Sequence, residues 1–256
     1  ALMGMSKPMV FDGVDDYVTV ANTGMIPTAG SISIWLFRES LDDNYILQNK
    51  YNTTENLAIQ KEDSSTINMR MERSNVEYKI TAAYGAFSTW KHWVFTWSGD
   101  GADSNDVIAI YRDGALISSA SNGNIFNAVA STTAFMSYAG GGGWAKGGIN
   151  EVSIWSAALS LAEVQELFND GVALDATTHS KAIPTGSGTD YLEGYWRNTG
   201  AAAWTDLSQN TNAVTISGSP ETILLPEGTT SGKDILGFPL THTNNGWLNL
   251  DELEYV

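Results

Sequence analysis

Short runs in which apolar residues recur at every second position punctuate the chain, separated by Gly, Asn, Asp and Ser. A period of two places alternate side chains on opposite faces of a strand. "SISIWLF" (31–37) sets Ile32, Ile34 and Leu36 against Ser31, Ser33 and Trp35. "HWVFTW" (92–97) puts Trp93, Phe95 and Trp97 on one face. "VIAIYRDGALI" (107–117) predicts a hairpin, because Asp113-Gly114 supplies the positive φ angles of a two-residue turn. "INEVSIW" (149–155) predicts another strand. One segment changes period. "SLAEVQELFNDG" (160–171) opens on Ser160 with Glu163 at the capping-box spacing, and Leu161, Val164, Leu167 and Phe168 share one face. Gly171 offers a C-terminal stop. The pattern predicts an all-β, two-sheet antiparallel sandwich with one short helix lying on it.

After the helix comes a polar connector, "DATTHSKAIPTGSGTD" (175–190), rich in Thr, Ser and Gly. The chain is therefore divided near residue 178. Residues 1–178 hold most of the strands, and 179–256 form a C-terminal extension too small to be a sandwich of its own. The chain closes on "LNLDELEYV", which echoes "MVFDGVDDYVTV" near its start. Leu250-Asp251 matches Phe11-Asp12, and Tyr255-Val256 matches Tyr17-Val18 with a one-residue gap. Such a chain is built from repeats, wrapped so that its end meets its start, or cut from something longer. Met5 reads as a natural start, with residues 1–4 added ahead of it or left by processing.

Composition narrows the partners. The 256 residues allow one large β domain or two modest ones. No apolar run reaches the roughly eighteen residues of a membrane span, and no signal peptide is visible, so membrane insertion is not expected. The absence of cysteine excludes disulfides, thiolate chemistry and Cys-zinc sites. Acidic residues outnumber basic ones 29 to 13, giving a net charge of −16. That surface repels phosphate backbones and argues against nucleic acid. It suits a salty or extracellular setting, or it serves solubility alone.

Three blocks carry a resemblance: "FDGVDDYVTV"; "WKHWVFTWSG" followed by "VIAIYRDGALI"; and "GGINEVSIWSAALSLAEVQELFNDG". In that order and spacing they resemble the laminin-G-like, concanavalin A-like jelly rolls of pentraxin type, over most of residues 9–171. The resemblance implies a jelly-roll sandwich. In that family a Gly-Tyr-Trp segment and an Asp-Ser-rich loop usually precede the Phe-Asp-Gly strand. Here "GYWRNTGAAAWTDLSQNTNAVTISGS" (194–219) follows the helix instead. The extension either packs back on the first part, the reading favoured for residues 195–216, or pairs with another subunit. Its last residues are left to join a neighbour by strand addition. The wording of residues 221–256 also resembles the ends of structural proteins from marine bacteriophages, which implies a virion component.

The resemblance further implies a structural Ca²⁺, with Asp12, Asn150 and Asp206 as candidate ligands. Where the family's wording is "IDEV", this chain has Asn150, which keeps a carbonyl oxygen and loses a charge. Its loop "DLSQNTN" has Gln209 and Thr211 where the family tends to have Gly. Otherwise Asp12 is a turn-maker before Gly13 and Asn150 a strand-start hydrogen bonder. "GDGADSNDV" (99–107) spaces three aspartates but lacks the closing Glu of a calcium hand, and reads as a solvated hairpin loop. Nine Trp and ten Tyr suit stacking on sugar faces, but Trp35, Trp93, Trp97 and Trp155 sit at strand spacing and belong to the core. Trp144, inside "AGGGGWAKGG", either stands exposed on a loop or folds back over the sheet edge. It is the candidate ligand contact, with Tyr138 and Lys146 beside it. Hydrolases on this sandwich carry a Glu-x-Asp-x-x-Glu strand, which is absent here, and no nucleophile elbow or metal-spaced His pair is present.

These readings converge on a non-catalytic glycan-binding or adhesion module on an exterior surface, extracellular or on a virion. It works as a homo-oligomer or part of a larger assembly. The alternative is a virion decoration or assembly protein acting through subunit contacts without sugar binding; a glycoside hydrolase stands last.

Overall fold

The alternating runs form strands. A computed structural model of the protein describes residues 8–22, 28–40, 45–50, 55–99, 106–121, 131–139, 141–182, 188–197 and 204–222. In chain order β1 (Met9–Asp12), β2 (Tyr17–Asn22), β3 (Gly30–Phe37), β4 (Tyr45–Lys50), β5 (Glu55–Lys61) and β6 (Thr66–Arg73) come first. Next are β7 (Val76–Ala83), β8 (Trp90–Ser98), β9 (Val107–Arg112), β10 (Ala115–Ser121), β11 (Ser131–Phe135) and β12 (Lys146–Trp155). Helix α1 (Leu161–Phe168) follows, then β13 (Leu192–Arg197), β14 (Thr205–Asp206), β15 (Val214–Ser217) and β16 (Glu221–Thr222). The first sheet runs β10-β9-β8-β3-β12-β1-β16, with β13 also on β12 and β14 on β13; the second runs β15-β2-β11-β4-β5-β6-β7. The architecture is an all-β sandwich of two antiparallel sheets with one short helix.

Between the sheets lie Trp93, Phe95 and Trp97 of β8 and Ile32, Ile34 and Leu36 of β3, together with Leu57, Ile59, Met69 and Met71 of the second sheet. Each buried indole removes roughly 200 Å² from water, worth on the order of 5 kcal/mol. The other face of β3 is buried as well, because α1 lies over it: the Trp35 ring stacks on Phe168 at 6.0 Å. Val94, Trp155, Val164, Leu167 and Tyr195 form a second apolar cluster under the helix.

The helix has the capping box read from its sequence: the Ser160 amide donates to the Glu163 carboxylate at 2.7 Å, and Ser160 Oγ accepts from the Glu163 amide. Its apolar face is narrower than the spacing predicts. Leu161, at the first helical position, overhangs the sheet and is 45% exposed. The helix also ends before Gly171, because Asn169 takes the left-handed conformation (φ 45°). The hairpin turn forms at Asp113 (φ 50°) and Gly114 (φ 74°).

Residues beyond the helix enter both sheets. Val152 of β12 pairs with Trp196 of β13, Val20 of β2 with Val214 of β15, and Met9 of β1 with Thr222 of β16. Trp196 and Trp204 reach the core between the sheets. The closing phrase at 248–256, residues 1–7 and the middle of the acidic stretch (100–105) lie outside the described residues.

Candidate functional site

The two sheets differ in what covers them. No helix or strand among the described residues pairs over the outer face of the second sheet, and across β4 to β7 its side chains there are mostly polar. On β5 and β6 the inward residues are Leu57, Ile59, Ile67, Met69 and Met71. Their neighbours in sequence point the other way, as strand geometry requires. Register then aligns Gln48, Ala58, Arg70 and Lys79 in one row across β4, β5, β6 and β7. Lys50, Asn56, Glu72 and Glu77 form the next row, and Gln60, Asn68 and Thr81 the one on the other side.

This face has two layers. The lower one is made of amides: Asn68 is fully buried, Gln48 is 2% exposed and Asn56 is 4% exposed. The upper one is charged and held from beneath. Asn56 Nδ2 donates to Glu72 Oε2 at 2.7 Å, and an Arg70 terminal nitrogen donates to Asn56 Oδ1 at 3.3 Å. The other terminal nitrogen of Arg70 pairs with Glu77 at 3.2 Å. Asn68 Nδ2 and Lys79 Nζ each donate to Glu62 at 2.8 Å, one to each carboxylate oxygen. Exposed ion pairs are usually mobile and worth little; here each pair has one member held by a buried amide, Arg70 by Asn56 and Glu62 by Asn68. Gln60 Oε1, Thr66 Oγ1, Asn68 Oδ1 and Arg70 Nε on this face are shielded and have no hydrogen-bond partner among the described residues.

A loop between β11 and β12 walls the face along β4. The Ala139 amide donates to Gln48 Oε1 at 2.9 Å, and the Tyr45 amide to the Gly143 carbonyl at 3.1 Å. Within the loop, the Tyr138 amide donates to the Gly142 carbonyl at 2.9 Å. Tyr138 packs edge-on against Tyr45, with ring centroids 5.6 Å apart. Lys50 Nζ lies 4.4 Å from the Tyr138 ring centroid and also donates to its hydroxyl. The sequence-picked contact residues are therefore only partly joined. Tyr138 stands over the polar face; Trp144, in the same loop, is half-buried with its indole nitrogen shielded from solvent. Lys146 is exposed at the start of β12, opposite Asp12, with Glu39 at 3.7 Å.

The three candidate metal ligands stand apart. Asp12 pairs with Lys146, four positions from Asn150 on β12, which is roughly 13 Å along a strand. Asn150 is fully buried opposite Trp35. Asp206 faces Trp196, which in turn faces Val152, so it sits two strands from β12. Its carboxylate accepts from the Tyr195 and Ser208 amides (both 2.9 Å), Ser208 Oγ (2.9 Å), the Asn212 amide (2.8 Å) and Asn212 Nδ2 (2.7 Å). Five donors leave that group little capacity for a cation. Asp12 has different company: Asp15 and Asp16 bring oxygens within 4.8 Å of its own. Asp16 is buried and accepts from the Asp12 amide at 3.1 Å and the Ser219 amide at 2.6 Å. Gly218 (φ 75°) permits the second bond, since a Cβ there would collide with the Asp16 carboxylate.

Sequence reasoning missed Gln48, Lys50, Asn56, Asn68, Arg70 and Glu72. The signal lay in the alternation of "ENLAIQK" and "TINMRMER", whose interior polar positions, Asn56 and Gln60 on one strand and Asn68, Arg70 and Glu72 on the other, share one face.

A family model described as the concanavalin A-like lectin/glucanases superfamily matches residues 12–165. Among solved structures, a heptameric SAP-like pentraxin from Limulus polyphemus aligns with TM-score 0.53 and 14% identity, over 84% of this chain and 95% of that one. A candidate carbohydrate-binding protein from Bacteroides ovatus aligns with TM-score 0.57 and 14% identity, over 88% of this chain and 62% of that one. Domain 4 of an extracellular arabinanase from Geobacillus stearothermophilus, in complex with arabinotriose, aligns with TM-score 0.51 and 19% identity, over 65% of this chain and 79% of that one. No curated protein matches the sequence. At such identities the structural likenesses speak for the fold.

Proposed function

The chain belongs to the concanavalin A-like lectin/glucanases superfamily, and from that premise we propose that it is a non-catalytic glycan-binding and adhesion module. Its contact surface is the outer face of the second sheet, walled by the loop of Tyr138. The observation that carries this reading is the layer of charged heads clamped by buried Asn56 and Asn68. Groups ordered before a ligand arrives lose less conformational freedom on binding. The Tyr138 ring adds an aromatic surface at the margin; Trp144 follows in the same loop, and Lys146 opens β12 beyond it. Two proteins of this fold, one described as a candidate carbohydrate-binding protein and one captured with arabinotriose, support the use of the scaffold for sugars.

Glu72 and Glu77 face each other across β6 and β7, a placement that invites comparison with glycosidase carboxylate pairs. Each already accepts from a neighbour, Glu72 from Asn56 and Glu77 from Arg70. The reading is therefore binding without turnover. The protein acts on an exterior surface, and the finer placement is a virion, where many copies raise a weak affinity to useful avidity. The second reading, assembly or decoration through subunit contacts, is favoured by β15, the last strand of the second sheet among the described residues, which suits strand addition.

Glycan arrays test the proposal. Wild type is expected to retain glycans, and Tyr138→Ala to weaken retention at least threefold with an unchanged circular dichroism spectrum. Failure to retain any glycan, with a stable symmetric assembly in solution, would favour the second reading. A structural Ca²⁺ remains part of the proposal through Asp12, with Asp15 and Asp16 as its acidic neighbours. Calcium is then expected to raise the melting midpoint and a chelator to reverse the rise. Equal midpoints in both would remove the ion.

A further inference from the structure

The charges on the outer face of the second sheet cancel, and that restricts what it can hold. Arg70 is met by Glu77 at 3.2 Å and Lys79 by Glu62 at 2.8 Å. Lys50 is turned to the ring and hydroxyl of Tyr138. A ligand carboxylate or sulfate approaching either cation meets the carboxylate already paired with it, Glu77 or Glu62. It would also have to approach a protein of net charge −16. Both terms oppose an anion. A sugar hydroxyl suffers neither, because it donates and accepts alike. Adjacent hydroxyls on one ring match the Arg70 and Glu72 heads that Asn56 holds side by side.

Resting on the proposed glycan-binding function, we infer that the ligand is an uncharged glycan chain laid across β4, β5, β6 and β7. Four strands at sheet spacing span about 14 Å, close to the length of a trisaccharide. Arg70 and Glu72 contact the middle unit, and Tyr138 stands at one end. The Arg70–Glu77 pair acts as the filter that refuses acidic sugars.

Titration calorimetry with neutral arabinan, xylan and β-glucan fragments of two to six units, set beside oligogalacturonates of equal length, tests this on the full chain. Binding is expected for at least one neutral series, with affinity rising to three units and then levelling, and oligogalacturonates at least tenfold weaker. Glu77→Gln frees the guanidinium and is expected to raise galacturonate affinity severalfold, while Arg70→Gln weakens neutral binding at least tenfold. A melting midpoint for each variant separates these effects from loss of fold. Tighter binding of oligogalacturonate by the wild type would overturn the neutral-ligand inference and leave glycan binding standing. No binding of either series, with an empty glycan array, would overturn both.

Discussion

At the scale of single residues, His92 shows what the interior demands of a polar group. It lies on β8 beneath the helix, with Ser33 Oγ at 2.8 Å from its Nε2 and the Phe168 ring stacked 6.0 Å away. Burial lowers its pKa from 6.5 to about 3, since an imidazolium there would lose its hydration. Below pH 6.5 the unfolded chain binds a proton that the folded chain refuses until about pH 3. Stability therefore falls as pH falls through that window, by up to about 1.4 kcal/mol per pH unit from this group. His92→Gln is expected to lose stability at pH 7 and to show a shallower acid decline than wild type between pH 6 and 4. Parallel urea midpoints across that range would contradict the assignment.

Among elements, the turn after β14 depends on one carboxylate. Asp206 gathers amides and side chains from β13 and from the segment leading into β15. Removing it strands several buried donors, each costing roughly 1–3 kcal/mol. Asp206→Ala is expected to destabilise the protein by about 3 kcal/mol and to raise hydrogen exchange in β15 before the rest of the second sheet. An exchange pattern unchanged in β15 would show that the loop holds itself without the aspartate. The same carboxylate entered the sequence reading as a metal-ligand candidate. Acid residues in a loop look alike in one dimension, and only their neighbours tell an ion's ligand from an organiser of backbone amides.

For the whole molecule, the segment beyond the polar connector decides whether the sandwich closes. β13 lies beside β12, β15 beside β2 and β16 beside β1, and Trp196 and Trp204 fill space between the sheets. A chain ended after residue 182 would expose those edges and leave indole-sized voids. Such a chain is expected to lack a cooperative thermal transition, and adding residues 183–222 as a separate fragment to restore one. A truncated chain that melts cooperatively on its own would show that the first part is self-sufficient.

Alternation and apolarity are local properties, so β3, β8, β9, β10 and β12 of the first sheet, the inward set Trp93, Phe95 and Trp97, the hairpin at Asp113-Gly114 and the capped helix were legible in the sequence. The candidate glycan surface was not. Gln48, Asn56, Arg70 and Lys79 are scattered over four strands, and alternation records which way each points without saying which lie side by side. Register settles that, and it depends on pairings, bulges and turns distributed over the whole sheet. Tertiary structure also buried the outer face of β3 under the helix and left the second sheet's polar face to solvent. One-dimensional spacing cannot express a choice of that kind, because it is made by what packs above a strand.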